Sequence, residues 1–175
     1  MHKLVKMKRE KGFTLLEAVI GVGIMALVVV ALASTTTTLL LNHGRAAEQN
    51  IALPQVQNAG YWITRDVQTA RTITTTAPNG FPLSIKVPVD ITPANDNTVI
   101  YSFDGNKLKR ALYNSTPSLI SQSFVADYID TGNTIFSVLD PEKGFYQLTV
   151  TAVRDRGGVT MSYELSQRLS PEAQG

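Results

Sequence analysis

The sequence contains no cysteine, and this absence excludes several kinds of function. Without cysteine there is no disulfide framework, no thiolate nucleophile and no cysteine-based zinc site. Histidine is almost as rare: only His2 and His43 occur, and a lone histidine is more often solvated or structural than catalytic. A Gly-x-Ser-x-Gly elbow and a phosphate-binding glycine loop are also missing from the sequence. We therefore expect no catalytic residue, no cofactor and no enzymatic activity.

Acidic residues of the C-terminal half lie mostly where turns are predicted, and they show no EF-hand spacing. A calcium ion needs several oxygen ligands that converge on one point, and this pattern does not provide them. We therefore expect turn-forming carboxylates on a solvated surface, and no metal site.

Charge is scarce and unevenly distributed: the chain has 16 basic and 14 acidic residues among 175, for a net charge of +2. The first twelve residues hold five of the basic residues and one of the acidic residues, so the rest has 11 basic and 13 acidic residues. The basic character therefore belongs to a short leader, which is typical of the cytoplasmic flank of a membrane segment. No basic patch with interleaved aromatic residues follows it, so nucleic-acid binding is not predicted.

An apolar run of 21 residues follows the leader. It extends from Phe13 to Ala33, and Glu17 is its one charged residue. At about 1.5 Å per residue, a helix of this length is long enough to cross the hydrocarbon core of a bilayer. A carboxylate inside such a segment costs roughly 2.5–3.5 kcal/mol on insertion scales, so Glu17 is expected to have a partner.

The sequence KGFTLLE at positions 11–17 resembles the class III signal of type IV pilins and type II secretion pseudopilins. The resemblance is close from about Lys11 to Ala33 and only general elsewhere. It implies that a prepilin peptidase cleaves the chain after Gly12 and N-methylates the new first residue, Phe13. It also implies that Glu17 pairs with the free amine of Phe13 on a neighbouring subunit.

Electrostatics favours the same pairing between neighbouring chains. Cleavage would leave a positive amine at a helix N-terminus, where the helix dipole adds roughly half a positive charge. Glu17 lies about one turn further along, so the amine of its own chain is near but poorly aligned. A neighbour shifted along the axis by about one turn would present its amine directly, and a buried pair of this kind fixes register.

A second processing site competes with this interpretation. Ala31-Leu32-Ala33 before Ser34 resembles an ordinary signal-peptidase site of the Ala-x-Ala type. Cleavage there would give a secreted protein that begins at Ser34. In that case the product is a secreted or membrane-anchored β domain that binds a ligand without polymerising, and Glu17 is incidental.

Helical periodicity continues beyond the apolar run. Apolar residues recur at steps of three and four and predict one core-facing stripe: Ala52, Val56, Ala59, Ile63, Val67 and Ala70. Pro54 removes a backbone donor and should bend the helix near Asn50. The helix is expected to end after Thr74-Thr75-Thr76, and a sheet is expected to cover its surface at Tyr61, Trp62 and Ile63.

The chain after Gly80 predicts β structure. We predict strands at 83–89, 98–103, 107–113, 123–128, 134–139, 145–153 and 159–167. Asp104-Gly105-Asn106 separates two of them and is a strong hairpin signal. Pro88 favours an edge position for the first strand. The expected arrangement is an antiparallel meander of about five to seven strands.

Together these segments predict an α+β, pilin-like fold. The leader covers residues 1–12, the transmembrane or filament-core helix covers 13–33, its amphipathic continuation covers 34–76 and the antiparallel β domain covers 77–175. The expected partners are the prepilin peptidase, other pilin or pseudopilin subunits and the membrane. The β domain is expected on the extracytoplasmic side of the cytoplasmic membrane, and at the cell surface or in the periplasm after assembly.

Within this class, the sequence favours a minor subunit of a filament. The stretch at positions 58–70, with Lys109 and Arg110 in a later hairpin, loosely resembles the J-type minor pseudopilins and W-type minor pilins. Many filament-forming pilins close a C-terminal loop with a disulfide, and the absence of cysteine weakly supports a minor subunit or pseudopilin.

Overall fold

The computed structural model describes residues 14–155 and 157–168, except for the side chains at 41 and 42. These residues form a long helix, α1, followed by antiparallel strands, which is an α+β fold. The helix extends over Leu15–Gln68. The strands are β1 (Thr72–Thr74), β2 (Leu83–Val87), β3 (Asn97–Asp104), β4 (Lys107–Tyr113), β5 (Leu119–Ala126), β6 (Ile135–Asp140), β7 (Phe145–Arg154) and β8 (Gly157–Ser166). The chain divides into two compact units, one ending at His43 and the other beginning at Gly44, and α1 contributes to both.

The first unit contains the apolar part of α1. Its mean hydropathy reaches 2.7 over an 18-residue window, and none of that window is buried. By length and composition, this part of the helix is able to cross a membrane. Neither Gly21 nor Gly23 has a neighbouring atom near the position that a Cβ would occupy.

The second unit contains two antiparallel sheets. One has the strand order β1-β2-β3-β4-β5 and the other the order β6-β7-β8. The predicted β3–β4 hairpin is confirmed: Asp104 pairs with Lys107, and Gly105 takes a φ of 58° in the two-residue turn. A left-handed conformation at this position is favourable for glycine, which has no Cβ to clash with the backbone.

The predicted core stripe of α1 is confirmed. Its six residues are 0–4% exposed, although the last of them, Ala70, lies just beyond the helix. Ile63 is fully buried and Trp62 packs at the edge of the core, but Tyr61 is 59% exposed. The prediction that the sheet covers Tyr61 is wrong, because successive residues of a helix point about 100° apart.

The helix ends earlier than the sequence predicts. α1 stops at Gln68, whereas the amphipathic segment was expected to continue to Thr76. Thr72–Thr74 instead form β1, in which Ile73 pairs with Ile85 of β2. Threonine and isoleucine are β-branched and favour the pleated conformation, and pairing with β2 satisfies their backbone groups.

The β region also differs from a single meander of five to seven strands. The described residues form eight strands in two sheets, with β6, β7 and β8 separate from the others. The first predicted strand is not an edge strand, because β2 lies between β1 and β3. It ends at Val87, so Pro88 follows the strand and removes no ladder hydrogen bond. Pro54 lies within α1 without ending it, and the bend there stays a prediction.

We expect Gly60→Ala to destabilise the protein by about 1–3 kcal/mol, because a Cβ at this position of α1 would overlap the ring of Tyr163. Tyr163 is held there by a 3.2 Å hydrogen bond from its hydroxyl to the Val56 carbonyl. The measurement is the free energy of unfolding in urea. Gly44→Ala is the matched control, because no atom lies within 4 Å of its added Cβ. That variant should be neutral or up to about 1 kcal/mol more stable, since alanine favours helix over glycine. Equal effects of the two substitutions would contradict the predicted clash.

Candidate functional site

The first turn of α1 has a defined N-terminal cap. Thr14 precedes the helix, and its Oγ1 accepts the backbone N–H of Glu17 at 3.3 Å. The carbonyl of Thr14 accepts the N–H of Ala18 at 3.2 Å. This arrangement satisfies one of the free donors at the helix start and fixes Glu17 in the first turn. No role was predicted for Thr14 from the sequence, although the Thr-x-x-Glu spacing is a known cap signal.

Glu17 is exposed in this isolated chain. A carboxylate in the first turn of a helix is favoured by the positive end of the helix dipole. Among the residues that the structure describes, no basic side chain forms an ion pair with Glu17. Gly12 and Phe13 lie outside the described residues, so the pairing of Glu17 with the Phe13 amine of a neighbouring subunit stays a prediction.

The apolar part of α1 presents its side chains to the surroundings on every side of the helix. Large exposed residues between positions 15 and 40 are Leu15, Leu16, Val19, Ile20, Val22, Ile24, Met25, Leu27, Val28, Val29, Val30, Leu32, Leu39 and Leu40. Monomeric soluble proteins rarely expose an apolar surface of this extent. This part of α1 is therefore suited to lipid or to the packing of neighbouring helices.

Five hydroxyl residues follow this apolar surface without interrupting the helix. The side chains at 34–38 each donate a hydrogen bond of 2.9–3.0 Å to a backbone carbonyl three or four residues earlier. Each hydroxyl thus has a partner within the helix, which lowers the cost of placing it in an apolar environment. Ala33 and Ser34, the predicted signal-peptidase site, are both helical.

Comparison with protein families matches residues 7–33 to the Prokaryotic N-terminal methylation motif. The chain carries a prepilin-type methylation motif. The matched range includes Gly12, Phe13 and Glu17. Comparison with curated proteins and with solved structures finds no match. The long helix α1 begins within this motif, at Leu15, and continues beyond it to Gln68.

The second unit holds α1 against its sheet through a buried carboxylate. Asp66 of α1 is 6% exposed and accepts hydrogen bonds from the Tyr101 hydroxyl at 2.5 Å and from the Arg110 Nε at 2.7 Å. A second bond joins the Arg110 Nη2 to the other carboxylate oxygen at 3.1 Å. The guanidinium of Arg110 also lies 5.1 Å from the centre of the Trp62 ring. This network connects α1 to β3 and β4 within the second unit, and Asp66 lies outside the motif at residues 7–33.

Asp66 was not predicted from the sequence, because only the tertiary structure shows which partners surround it. Arg110 was singled out in the sequence only by a loose resemblance to minor pilins, and no partner was predicted for it. An acidic residue beside the core stripe, at the position before Val67, was the available signal. A charged residue next to a buried stripe is seldom fully buried unless it is paired.

Three acidic turns follow the prediction of solvated carboxylates, but Asp96 does not: it is 5% exposed, and its Oδ2 lies 3.3 Å from the Nε of Arg71. Asp90, Asp130 and Asp140 each accept a backbone N–H from the residue two positions later, at 2.6, 3.0 and 3.1 Å. Hydrogen bonds from Asn95 lower the pKa of Asp90, and those from Asn133 lower the pKa of Asp130. These carboxylates shape turns on the surface.

We expect the protein to lose stability above about pH 10, and Tyr101 to cause part of this loss. Burial raises the pKa of Tyr101 well above its usual value, and the Asp66 carboxylate raises it further. The raised pKa stabilises the folded state fully below the pKa of an unfolded tyrosine. This contribution falls as the pH rises above that value, because only the unfolded chain then ionises readily.

Unfolding in urea between pH 8 and pH 11 tests this expectation. Tyr101→Phe should be less stable at pH 8, because Asp66 loses a donor, but its stability should fall less steeply with pH. Tyr61→Phe, at a position 59% exposed, serves as the control and should follow the native protein. If the free energy of unfolding falls equally steeply with pH in Tyr101→Phe and in the native protein, Tyr101 does not contribute to the loss of stability.

Proposed function

We propose that the protein is a structural subunit of a type IV pilus-like or type II secretion pseudopilus filament. The observation that carries this proposal is the methylation motif at residues 7–33, in which an apolar helix begins whose membrane-length part is not buried. A prepilin peptidase would cleave between Gly12 and Phe13 and methylate Phe13. The protein would then act mechanically, without catalysis of its own.

Assembly would proceed through the N-terminal helix. In the membrane, Glu17 is the one charge of the run 13–33, and its desolvation is costly without a partner. The amine of Phe13 on an incoming neighbour would supply that partner, and the apolar side chains of both helices would then pack together. The pair would fix the axial register of the two subunits, as a buried polar residue does in a coiled coil.

The remaining proposals concern the location of the β domain relative to the membrane and the role of the subunit in the filament. The basic leader supports a cytoplasmic N-terminus, which would put the β domain on the extracytoplasmic side and on the outer surface of an assembled filament. We favour a minor subunit similar to the J-type pseudopilins or W-type minor pilins, which would function with partners of the same fold. Quantification in purified filaments tests this, because a major subunit would dominate their protein content.

The first experiment is the intact mass and N-terminal sequence of the protein recovered from its native host. We expect a chain that begins at methylated Phe13. A chain that begins at Ser34 would overturn the filament proposal and favour a secreted β domain. Gly12→Val should leave the leader attached, whereas Gly21→Ala, within the same segment, should be processed normally.

A further inference from the structure

The two sheets have four edge strands, and three of them carry features that hinder the addition of a further strand. β1 contains only three residues. β5 has two register shifts, and its last residues are capped by α1: Asn58 donates to the Val125 carbonyl at 2.7 Å. β6 has one register shift, and its Phe136 N–H donates to the Asn79 carbonyl. Short length, bulges and covering groups are the usual ways to protect a sheet edge.

β8 is neither short nor bulged, and the contacts of α1 with its backbone lie at its two ends, at Gly157 and beyond Ser166. It extends over ten residues, Gly157–Ser166, and pairs with β7 in an unbroken register along its whole length. It contains no proline and no lysine, and Glu164 is its one charged residue. A long, regular edge strand of this kind is a template for pairing with another chain.

The outward backbone groups of β8 can be identified from its pairing. Gln167 donates to the Gly144 carbonyl at 2.8 Å and continues the β7–β8 ladder by one residue. Because antiparallel ladders alternate, the backbone groups of Thr160, Ser162 and Glu164 point away from β7. In the described part of the chain, no other group donates to them or accepts from them.

A groove adjoins this edge on the side that faces α1. It has a volume of about 400 Å³, and its lining includes Gly60, Tyr61, Thr64 and Arg65 of α1 and Met161 and Tyr163 of β8. Arg65 supplies the positive charge of this lining, with its guanidinium 5.6 Å from the centre of the Trp62 ring. No carboxylate of the described residues forms an ion pair with Arg65.

We propose that β8 accepts an extended segment of a different protein chain as an additional strand. The segment would pair with the outward backbone groups of β8, place an apolar side chain in the groove and present a carboxylate to Arg65. Side chains two residues apart lie on the same face of a strand, so both can reach the side that faces α1. Backbone pairing would supply affinity, and the groove with Arg65 would supply specificity.

A separate segment fits this surface better than the β8 strand of a second copy. On each copy, the side chains of β8 that face α1 already pack on the copy's own core, including Met161, Tyr163 and Leu165. Pairing of two β8 edges would therefore leave the groove without an apolar side chain and Arg65 without a carboxylate. The inference concerns the second unit only and does not depend on filament assembly.

The test uses the full chain in detergent micelles and two synthetic peptides, TVTETVT and its glutamine counterpart TVTQTVT. With the first peptide in excess, amide hydrogen exchange measured by NMR should slow by about tenfold or more at Thr160, Ser162 and Glu164. Exchange at Met161 and Tyr163 should not change, because their amides already bond to β7. Arg65→Gln should abolish the preference for the glutamate peptide over the glutamine peptide.

Ser162→Pro removes an outward N–H without removing a bond to β7, and it should weaken peptide binding by about tenfold. Ser162→Ala is the matched control, because it loses the same hydroxyl contact to Thr149 but keeps the N–H. Unchanged exchange at millimolar peptide would overturn the proposal, as would equal binding to the two Ser162 variants. The proposal would also be overturned if a dimer formed without peptide and protected these amides, because the β8 edge would then pair with a second copy of this chain.

Discussion

Glu17→Ala is expected to remove the protein from assembled filaments while leaving it inserted in the membrane. The carboxylate would be lost from the apolar segment, so the Phe13 amine of a neighbour would meet no counter-charge during docking. Breaking a buried ion pair by removal of one partner costs about 3–5 kcal/mol, so incorporation should fall by well over tenfold. Insertion should not weaken, because alanine is cheaper than glutamate in the bilayer.

The measurement is the fraction of the protein in sheared filaments relative to the membrane fraction of the same cells. Val22→Ala is the matched control: this side chain is 71% exposed, lies in the same segment and changes size without changing charge. It should be incorporated much as the native protein is. If Glu17→Ala enters filaments at the native level, Glu17 has no role in docking, and the secreted or anchored β domain becomes the better explanation.

Asp66→Ala is expected to produce the largest loss of stability in the second unit. The substitution leaves the Arg110 guanidinium, 16% exposed at its side chain, without its carboxylate and the Tyr101 hydroxyl without its acceptor. Removing one partner of a buried ion pair costs about 3–5 kcal/mol. That is a large part of the total stability of a typical domain, about 5–15 kcal/mol.

Urea unfolding followed by fluorescence measures this loss, since Trp62 is the single tryptophan and lies against Arg110. Asp127→Ala is the control, because it breaks an ion pair with Lys107 whose side chains are 44% and 48% exposed. Such a pair contributes about 0–1 kcal/mol. A double-mutant cycle of Asp66 and Arg110 should give a coupling energy above about 0.5 kcal/mol. Similar losses for the two aspartate variants would show that Asp66 does not anchor α1.

Two features were predictable from the sequence because each depends on residues close together in the chain. The stripe from Ala52 to Ala70 follows from helical periodicity, and the β3–β4 hairpin follows from Asp-Gly between two apolar runs. The same holds for the methylation motif, which is read as a contiguous segment. Local spacing and local conformation determine such features before any tertiary contact forms.

The incorrect predictions share a different cause. Thr72–Thr74 join a strand instead of the helix because β2 provides backbone partners that lie 10 to 14 residues further along the chain. Tyr61 stays exposed because the sheet covers the neighbouring face of α1 and leaves this one uncovered. In both cases the outcome depends on which distant segment packs nearby, and local propensity carries no information on that choice.

The apolar N-terminal segment with its one carboxylate can be read from the sequence alone, as can the helical stripe beyond it and the predominance of strands after Gly80. Each of these is a pattern of hydrophobicity or charge along one dimension. The division into two sheets became visible only in the folded protein, as did the burial of Asp66 between Tyr101 and Arg110 and the position of β8 at a sheet edge. The reason is that strand order and the partners of a buried charge depend on contacts between residues that are distant in sequence.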